Sequence, residues 1–242
     1  MPRFAVIIAA AGSSRRFVES TTRQEYGESE KKIFRTLNGV ELWRVSLELF
    51  AKRADVVQIV LVVAPEDRRR MQETVDALAL RPKVTLVLGG AERFLSVENA
   101  LAALDHDVDF IAVHDAARPC VSNHDVERVF ADAAQFRAAI LATPIVGSLK
   151  RSVRDQNDSV IVDASVAREN LWEAQTPQVF ERKLLEDAYR LRDRSSVPTD
   201  DCALVQALGV PVHVTPGSRM NIKITYREDL DIAKKFLEIS RD

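Results

Sequence analysis

The chain has 242 residues, 46% apolar and 29% charged, enough to bury a sizeable core. Its formal net charge of -2 gives no whole-chain attraction to nucleic acid or to a membrane surface, so neither partner is expected and any anion site must be local. No stretch approaches the length of a membrane span. Cys120 and Cys202 form neither a metal spacing nor a disulfide framework, which points to reduced thiols in a cytoplasmic protein.

Met1-Pro2-Arg3 leads into an apolar run, Phe4 to Ala11, with no signal-peptide pattern. The run lacks polar alternation, as a central parallel strand covered on both faces requires. It stops at Gly12 and opens into Ser13, Ser14, Arg15 and Arg16. A long polar connection follows over residues 18 to 31, then Lys32-Ile33-Phe34 and a helical pattern over 40 to 52. Val56 to Ala64 is a second buried strand stopped by Pro65. A helix over 66 to 80 leads to a third strand at Val84 to Leu88, ended by Gly89-Gly90. Ser96 to Leu104 reads as helix, and the strand Phe110 to Val113 ends in His114-Asp115. Ser122, three residues ahead of Asp125, caps a helix that runs to about Arg137. Steady alternation of strand and helix predicts right-handed crossovers and an α/β fold with a mostly parallel, Rossmann-like sheet.

The alternation breaks after Ala138 to Thr143. Residues 147 to 167 form a polar hairpin around the turn Asp155-Gln156-Asn157-Asp158, with too little apolar content for a core of its own, so it should pack on another subunit. Beyond it lie Gln175-Thr176-Pro177-Gln178, a helix near 181 to 193, another starting at Thr199-Asp200, and a strand at Val210 to Val214. Asn221-Ile222-Lys223-Ile224 follows, and Thr225 with Glu228 predicts a capping box for the last helix.

The carboxyl ends of parallel strands line one crevice. Small side chains at Ala9, Ala10, Ala11 and Gly12 let a ligand approach the backbone, and Gly12 can take φ > 0. Ser13 and Ser14 add donors, and Arg15 and Arg16 add charge whose fork suits phosphate oxygens. The P-loop and the G-x-G-x-x-G fingerprint are both missing. In His114-Asp115-Ala116-Ala117-Arg118-Pro119, a carboxylate beside a phosphate site calls for Mg²⁺ or a hydroxyl-bearing substrate; a structural Asp115–Arg118 ion pair is the alternative.

AAAGSSRRF, KKIF, GGAERFLSV, VHDAARP, QTPQ at 175 to 178, TDD at 199 to 201 and NIKIT at 221 to 225 occur in this order over nearly the whole chain. In them the chain resembles the 2-C-methyl-D-erythritol 4-phosphate cytidylyltransferase family of isoprenoid biosynthesis. The resemblance implies a single nucleotidyltransferase domain over 1-242 with a dimerisation arm at about 144-168, a homodimer that exchanges β-arms, and transfer of a cytidylyl group from CTP, with Mg²⁺, releasing pyrophosphate. It assigns the CTP-binding loop to Ala9 to Ser14, the catalytic cations to Arg16 and Lys32, and base-side contacts to Gly90 and Ser96. Ala116 and Lys223, the latter a third catalytic cation, complete the nucleotide site. The sugar-phosphate groups fall on Asp115, Arg118, Ser148, Arg168, Thr176 and Thr199, with Asp115 also the metal ligand. Ser14 replaces the usual second glycine of the loop, Ala91 and Leu95 replace frequent acidic residues, and Gly147 stands where an aspartate is common.

The implied acceptor is a phosphate monoester, already anionic at neutral pH, so it needs no general base; the task is to offset charge repulsion with Arg16, Lys32, Lys223 and Mg²⁺. A ribitol 5-phosphate cytidylyltransferase would share this loop chemistry and differ in the sugar pocket. A nucleotide-binding homologue impaired in catalysis is argued against by the three intact cations, and a NAD-dependent reductase by the missing glycines.

Overall fold

The structure is a computed structural model and describes residues 1–14, 16, 17, 31–105 and 107–239. The long connection expected over 18 to 31 lies outside the described residues except for Lys31.

Seven strands form the central sheet: β1 (Phe4–Ala9), β4 (Val56–Val63), β5 (Lys83–Leu88), β6 (Phe110–Asp115), β7 (Ala138–Pro144), β10 (Trp172–Glu181) and β11 (His213–Pro216). Their order is β11-β7-β10-β6-β1-β4-β5. β1 pairs in parallel with β4 on one side and β6 on the other. In both β1 and β4, alternate side chains enter two separate cores: Val6, Ile8, Ile59 and Leu61 enter one, and Ala5, Ile7, Val60 and Val62 the other. This is why β1 shows no polar alternation: it has no solvent face to alternate with.

Among the described residues the longer helices are α1 (Leu42–Ala51), α2 (Arg68–Leu78), α3 (Arg93–Leu101), α4 (Asn123–Phe136), α5 (Arg182–Leu191), α6 (Asp201–Gln206) and α7 (Glu228–Ile239). A small ladder of β2 (Thr36–Leu37) and β3 (Val40–Glu41) precedes α1. On one face of the sheet Phe4 stacks on Phe110 and Phe130, at ring-centroid distances of 5.4 and 4.1 Å. Ser122 caps α4 as expected, its hydroxyl accepting from the Asp125 amide.

Three local expectations are corrected. The helix read from Ser96 begins three residues earlier, at Arg93, because the Ser96 hydroxyl bonds back to the Glu92 carbonyl inside the helix rather than capping it. The strand read at 210 to 214 is β11 at His213–Pro216, beyond Pro211, which has no amide for a ladder. The last helix has no Thr225–Glu228 box: Asp229 Oδ2 accepts from the amides of Thr225 and Tyr226, at 2.7 and 2.8 Å. The segment holding QTPQ is the strand β10, antiparallel to both β6 and β7.

The hairpin forms as β8 (Leu149–Arg154) and β9 (Val160–Val166). Asp155 Oδ1 accepts from the amides of Asn157 and Ser159, and Asp158 takes the left-handed φ of 62° that the tight turn requires. Val153, Val160, Ile161 and Val162 stand exposed along it.

Candidate active site

The sheet reverses its strand order at β1: β4 was added on one side and β6 on the other. A ligand crevice belongs at the carboxyl ends flanking such a switch point. Ala9, the last residue of β1, is in register with Asp115, the last of β6. A cleft of about 400 Å³ opens there. Ala9, Ala10, Ala11, Gly12, Ser13, Arg16, Lys32, Gly90, Ser96, Asp115 and Lys223 all line it, so the structure brings together most residues predicted for the nucleotide and all three predicted cations.

The loop differs from expectation in one backbone detail. The left-handed residue is not Gly12 but Ser14, at φ 58°. Ser14 is buried and does not line the cleft; its hydroxyl accepts from the Lys32 amide at 3.2 Å. Ala116 is also buried behind the wall, donating its amide to Ala9 O, and its neighbour Ala117 lines the cleft. Ser96 shapes the opposite turn, accepting from the Gly90 amide at 3.0 Å. Gly89 must be glycine here, since a Cβ would stand 2.5 Å from Ala11 Cβ.

The two adjacent lysines part company. Lys31 turns away to Glu66 and Asp67, at 2.5 and 2.6 Å. Lys32 stays in the cleft, and its Nζ donates to Ile224 O at 2.7 Å. Burial and the neighbouring charges of Lys223 and Arg16, opposed by Asp115, lower its pKa to about 8. A lysine held this way has charge in reserve for an arriving phosphate.

Asp115 is buried and carries a cation on each oxygen: Arg93 Nε lies 3.1 Å from Oδ1 and Lys223 Nζ 2.6 Å from Oδ2. Burial alone would favour the neutral acid, but Arg93 and Lys223 overcome it and hold the carboxyl well below the usual range. The Asp115 amide donates to Thr176 Oγ1 at 3.0 Å, and Thr176, expected among the sugar-phosphate contacts, is buried behind Asp115 and does not line the cleft. Arg118 does not pair with Asp115 through its side chain. Its guanidinium is buried and donates to the carbonyls of Asn221 and Ala174, holding the NIK segment against β10. Thr199, Ser148 and Arg168 are exposed and do not line the cleft. Ser148 and Arg168 sit at the two ends of the hairpin, where Arg168 donates to Val146 O.

Arg93 is the cleft residue that sequence reasoning missed. It lies inside the GGAERFLSV stretch and opens α3, a poor place for a cation beside the positive end of a helix. That local conflict, three residues past a strand-ending glycine pair, was the available signal. Its Nη1 also reaches Asp201 Oδ2 at 2.7 Å, and Asp201 Oδ1 accepts from Tyr189 OH at 2.5 Å. Cys120 is inert by comparison: burial pushes its thiol up to about 12.

A crevice built for phosphate by small residues and scattered cations, at the switch point of a mostly parallel sheet and without a P-loop, places the protein among the Rossmann-like nucleotidyltransferases. The family profile described as 2-C-methyl-D-erythritol 4-phosphate cytidylyltransferase (IspD) matches residues 4–239. The chain belongs to this family. Relatives bearing that name include one from Rhodopirellula baltica, 40% identical over 98% of this chain and 95% of its own length. Another, from Solibacter usitatus, is 38% identical over 97% and 96%. Among solved structures, the 4-diphosphocytidyl-2C-methyl-D-erythritol synthase of Anaerococcus prevotii superposes with a TM-score of 0.78 at 25% identity, covering 98% of this chain and 99% of that one. The 2-C-methyl-D-erythritol 4-phosphate cytidylyltransferase of Thermus thermophilus gives 0.73 at 29%, covering 98% and 100%.

Proposed function

We propose that the cleft transfers CMP from CTP to 2-C-methyl-D-erythritol 4-phosphate, giving 4-diphosphocytidyl-2-C-methyl-D-erythritol and pyrophosphate. The observation that carries this reading is the convergence of Arg16, Lys32 and Lys223 on one cleft with Asp115 at its floor. CTP lies along Ala9 to Ser13 and between Gly90 and Ser96. The acceptor phosphate, anionic at neutral pH, attacks the α-phosphorus in line. The three cations lower the repulsion between the two anions and stabilise the charge of the transition state.

No base is needed. His114, the histidine nearest in sequence to the cleft, is fully buried, and burial pushes its pKa down to about 4, so it stays neutral and outside the proton traffic. Asp115, backed by Thr176, receives the hydroxyls of the acceptor, and Arg118 keeps the NIK segment, and with it Lys223, in place.

Mg²⁺ suits this donor set. It takes one or two carboxylates alongside substrate phosphates and keeps several waters, and Asp115 retains lone pairs beyond those facing Arg93 and Lys223. Asp115 would hold it, and the ion would supply further neutralisation of triphosphate charge.

The chain works as one cytoplasmic nucleotidyltransferase domain, and its arm exchanges with that of a second copy. Bare apolar side chains along an otherwise polar hairpin support this, with Val160 64% and Val162 65% exposed. In the dimer, Ser148, Arg168 and Thr199 frame the acceptor phosphate. Pyrophosphate release from CTP and Mg²⁺, measured with 2-C-methyl-D-erythritol 4-phosphate and in parallel with ribitol 5-phosphate, tests the reading. Faster release with ribitol 5-phosphate would reassign the acceptor, and no release with either would reject it.

A further inference from the structure

Among the described residues, the one completely buried carboxylate near the cleft that the reaction does not use is Asp201, the first residue of α6. A buried ionised carboxylate is costly unless it is paired and hydrogen-bonded on both oxygens. Asp201 meets that condition through Tyr189 on α5 and Arg93 on α3. Arg93 in turn bridges two carboxylates that are 86 positions apart in the chain, Asp115 in the cleft and Asp201 behind it. Only a planar guanidinium with several fixed donors makes both contacts at once; an ammonium is a single point charge.

We propose that Arg93, anchored by Asp201, is the positioning residue that fixes the Asp115 carboxylate toward the acceptor substrate throughout turnover. The argument turns on what Lys223 must do. In the resting cleft Lys223 holds Asp115 Oδ2 at 2.6 Å, yet its side chain is 39% exposed and free to follow a phosphate. When it does, Asp115 loses one of its two cations. Arg93 cannot leave in the same way, because its Nη1 is pinned to a carboxylate that is itself immobile. The two cations on Asp115 thus divide the work, one mobile and one fixed. This rests on the reading that Asp115 contacts the acceptor.

The test compares the double variant Arg93→Met/Asp201→Asn with Asp115→Asn and wild type. Removing both charges together avoids stranding Asp201. Steady-state kinetics should show the KM for 2-C-methyl-D-erythritol 4-phosphate raised about tenfold or more, the size of one lost charge-assisted contact, with the KM for CTP changed less than about threefold. At saturating acceptor kcat should change less than about threefold, so that the loss sits in acceptor binding. A folded double variant with wild-type acceptor KM overturns the proposal. If Asp115→Asn raises the acceptor KM and the double variant does not, Arg93 alone is acquitted of the role. If Asp115→Asn also has no effect, the reading of Asp115 falls and takes this proposal with it. Should the double variant fail to fold, Arg93→Lys decides: retaining charge but able to reach only one carboxylate, it should give the same selective rise in acceptor KM, and wild-type values would again overturn the proposal.

Discussion

The hydroxyl of Ser14, on a residue held at φ 58°, accepts a hydrogen bond from the backbone amide of Lys32 at 3.2 Å. One end of the phosphate loop is thereby tied to the backbone of a cleft lysine 18 residues away. A left-handed conformation costs a residue with a β-carbon roughly 1–2 kcal/mol, so the serine carries strain that a glycine would not. Ser14→Ala loses the tether and keeps the strain; Ser14→Gly loses the tether and relieves it. Denaturant unfolding should find the alanine variant less stable than the glycine variant by about 1 kcal/mol. Equal midpoints would show that the strain is absorbed elsewhere.

Lys32→Ala should fold normally and lose about a hundredfold or more in kcat, the usual effect of removing one donor aimed at transition-state charge. Retained circular dichroism with collapsed pyrophosphate release is the expected pairing. Turnover within a fewfold of wild type would take Lys32 out of the chemistry.

Lys32 also sets an alkaline limit. Its lowered pKa of about 8 means that the free enzyme loses the needed positive charge as pH rises through that value. The protonated form is the active one, so kcat/KM for CTP should be flat below about pH 7.5 and fall about tenfold per unit well above 8. Bound triphosphate favours the charged lysine, so the limb in kcat should lie at higher pH than the limb in kcat/KM. Lys32→Arg should remove the limb within the range up to pH 10, because a guanidinium does not titrate there. A limb that persists unchanged in that variant belongs to another group.

If the arms exchange, each site draws Lys32 from one chain and Arg168 from the other. Lys32→Ala and Arg168→Ala homodimers should then each be nearly inactive. In a mixed dimer one site receives both lesions and the other neither. Random exchange of equal amounts makes about half the dimers mixed, so roughly a quarter of wild-type activity should reappear after the two are unfolded and refolded together. Mass measurements that find mixed dimers without any recovery would place Arg168 in the site of its own chain.

Ala79 ends α2 at φ 46°, exposed to solvent. Glycine suits such a position better than any residue with a β-carbon. Ala79→Gly should therefore raise stability by about 0.5–1 kcal/mol with activity unchanged, read as a higher denaturant midpoint at constant slope. A lower midpoint would mean that unfolded-chain entropy outweighs the relief.

The central strands, the phosphate loop and the polar arm were legible from the amino-acid order because each rests on a local property. β1 needs only an unbroken apolar run, the turn of the arm needs only Asp155 beside its own neighbours, and Arg16 follows the end of the first strand, where alternation puts the crevice. Tertiary structure alone decided that the QTPQ segment returns as an antiparallel strand between β6 and β7, that Arg118 binds carbonyls rather than Asp115, and that Lys31 leaves the cleft while Lys32 remains. It alone brought Arg93 to Asp201, 108 positions further along. A strand's hydrophobic pattern is written in consecutive side chains, which lie within a few ångströms of one another in any fold. The partner of a buried charge is whatever group the chain brings back to it, and that is set by how the helices pack on the sheet, with no trace in the spacing of either residue.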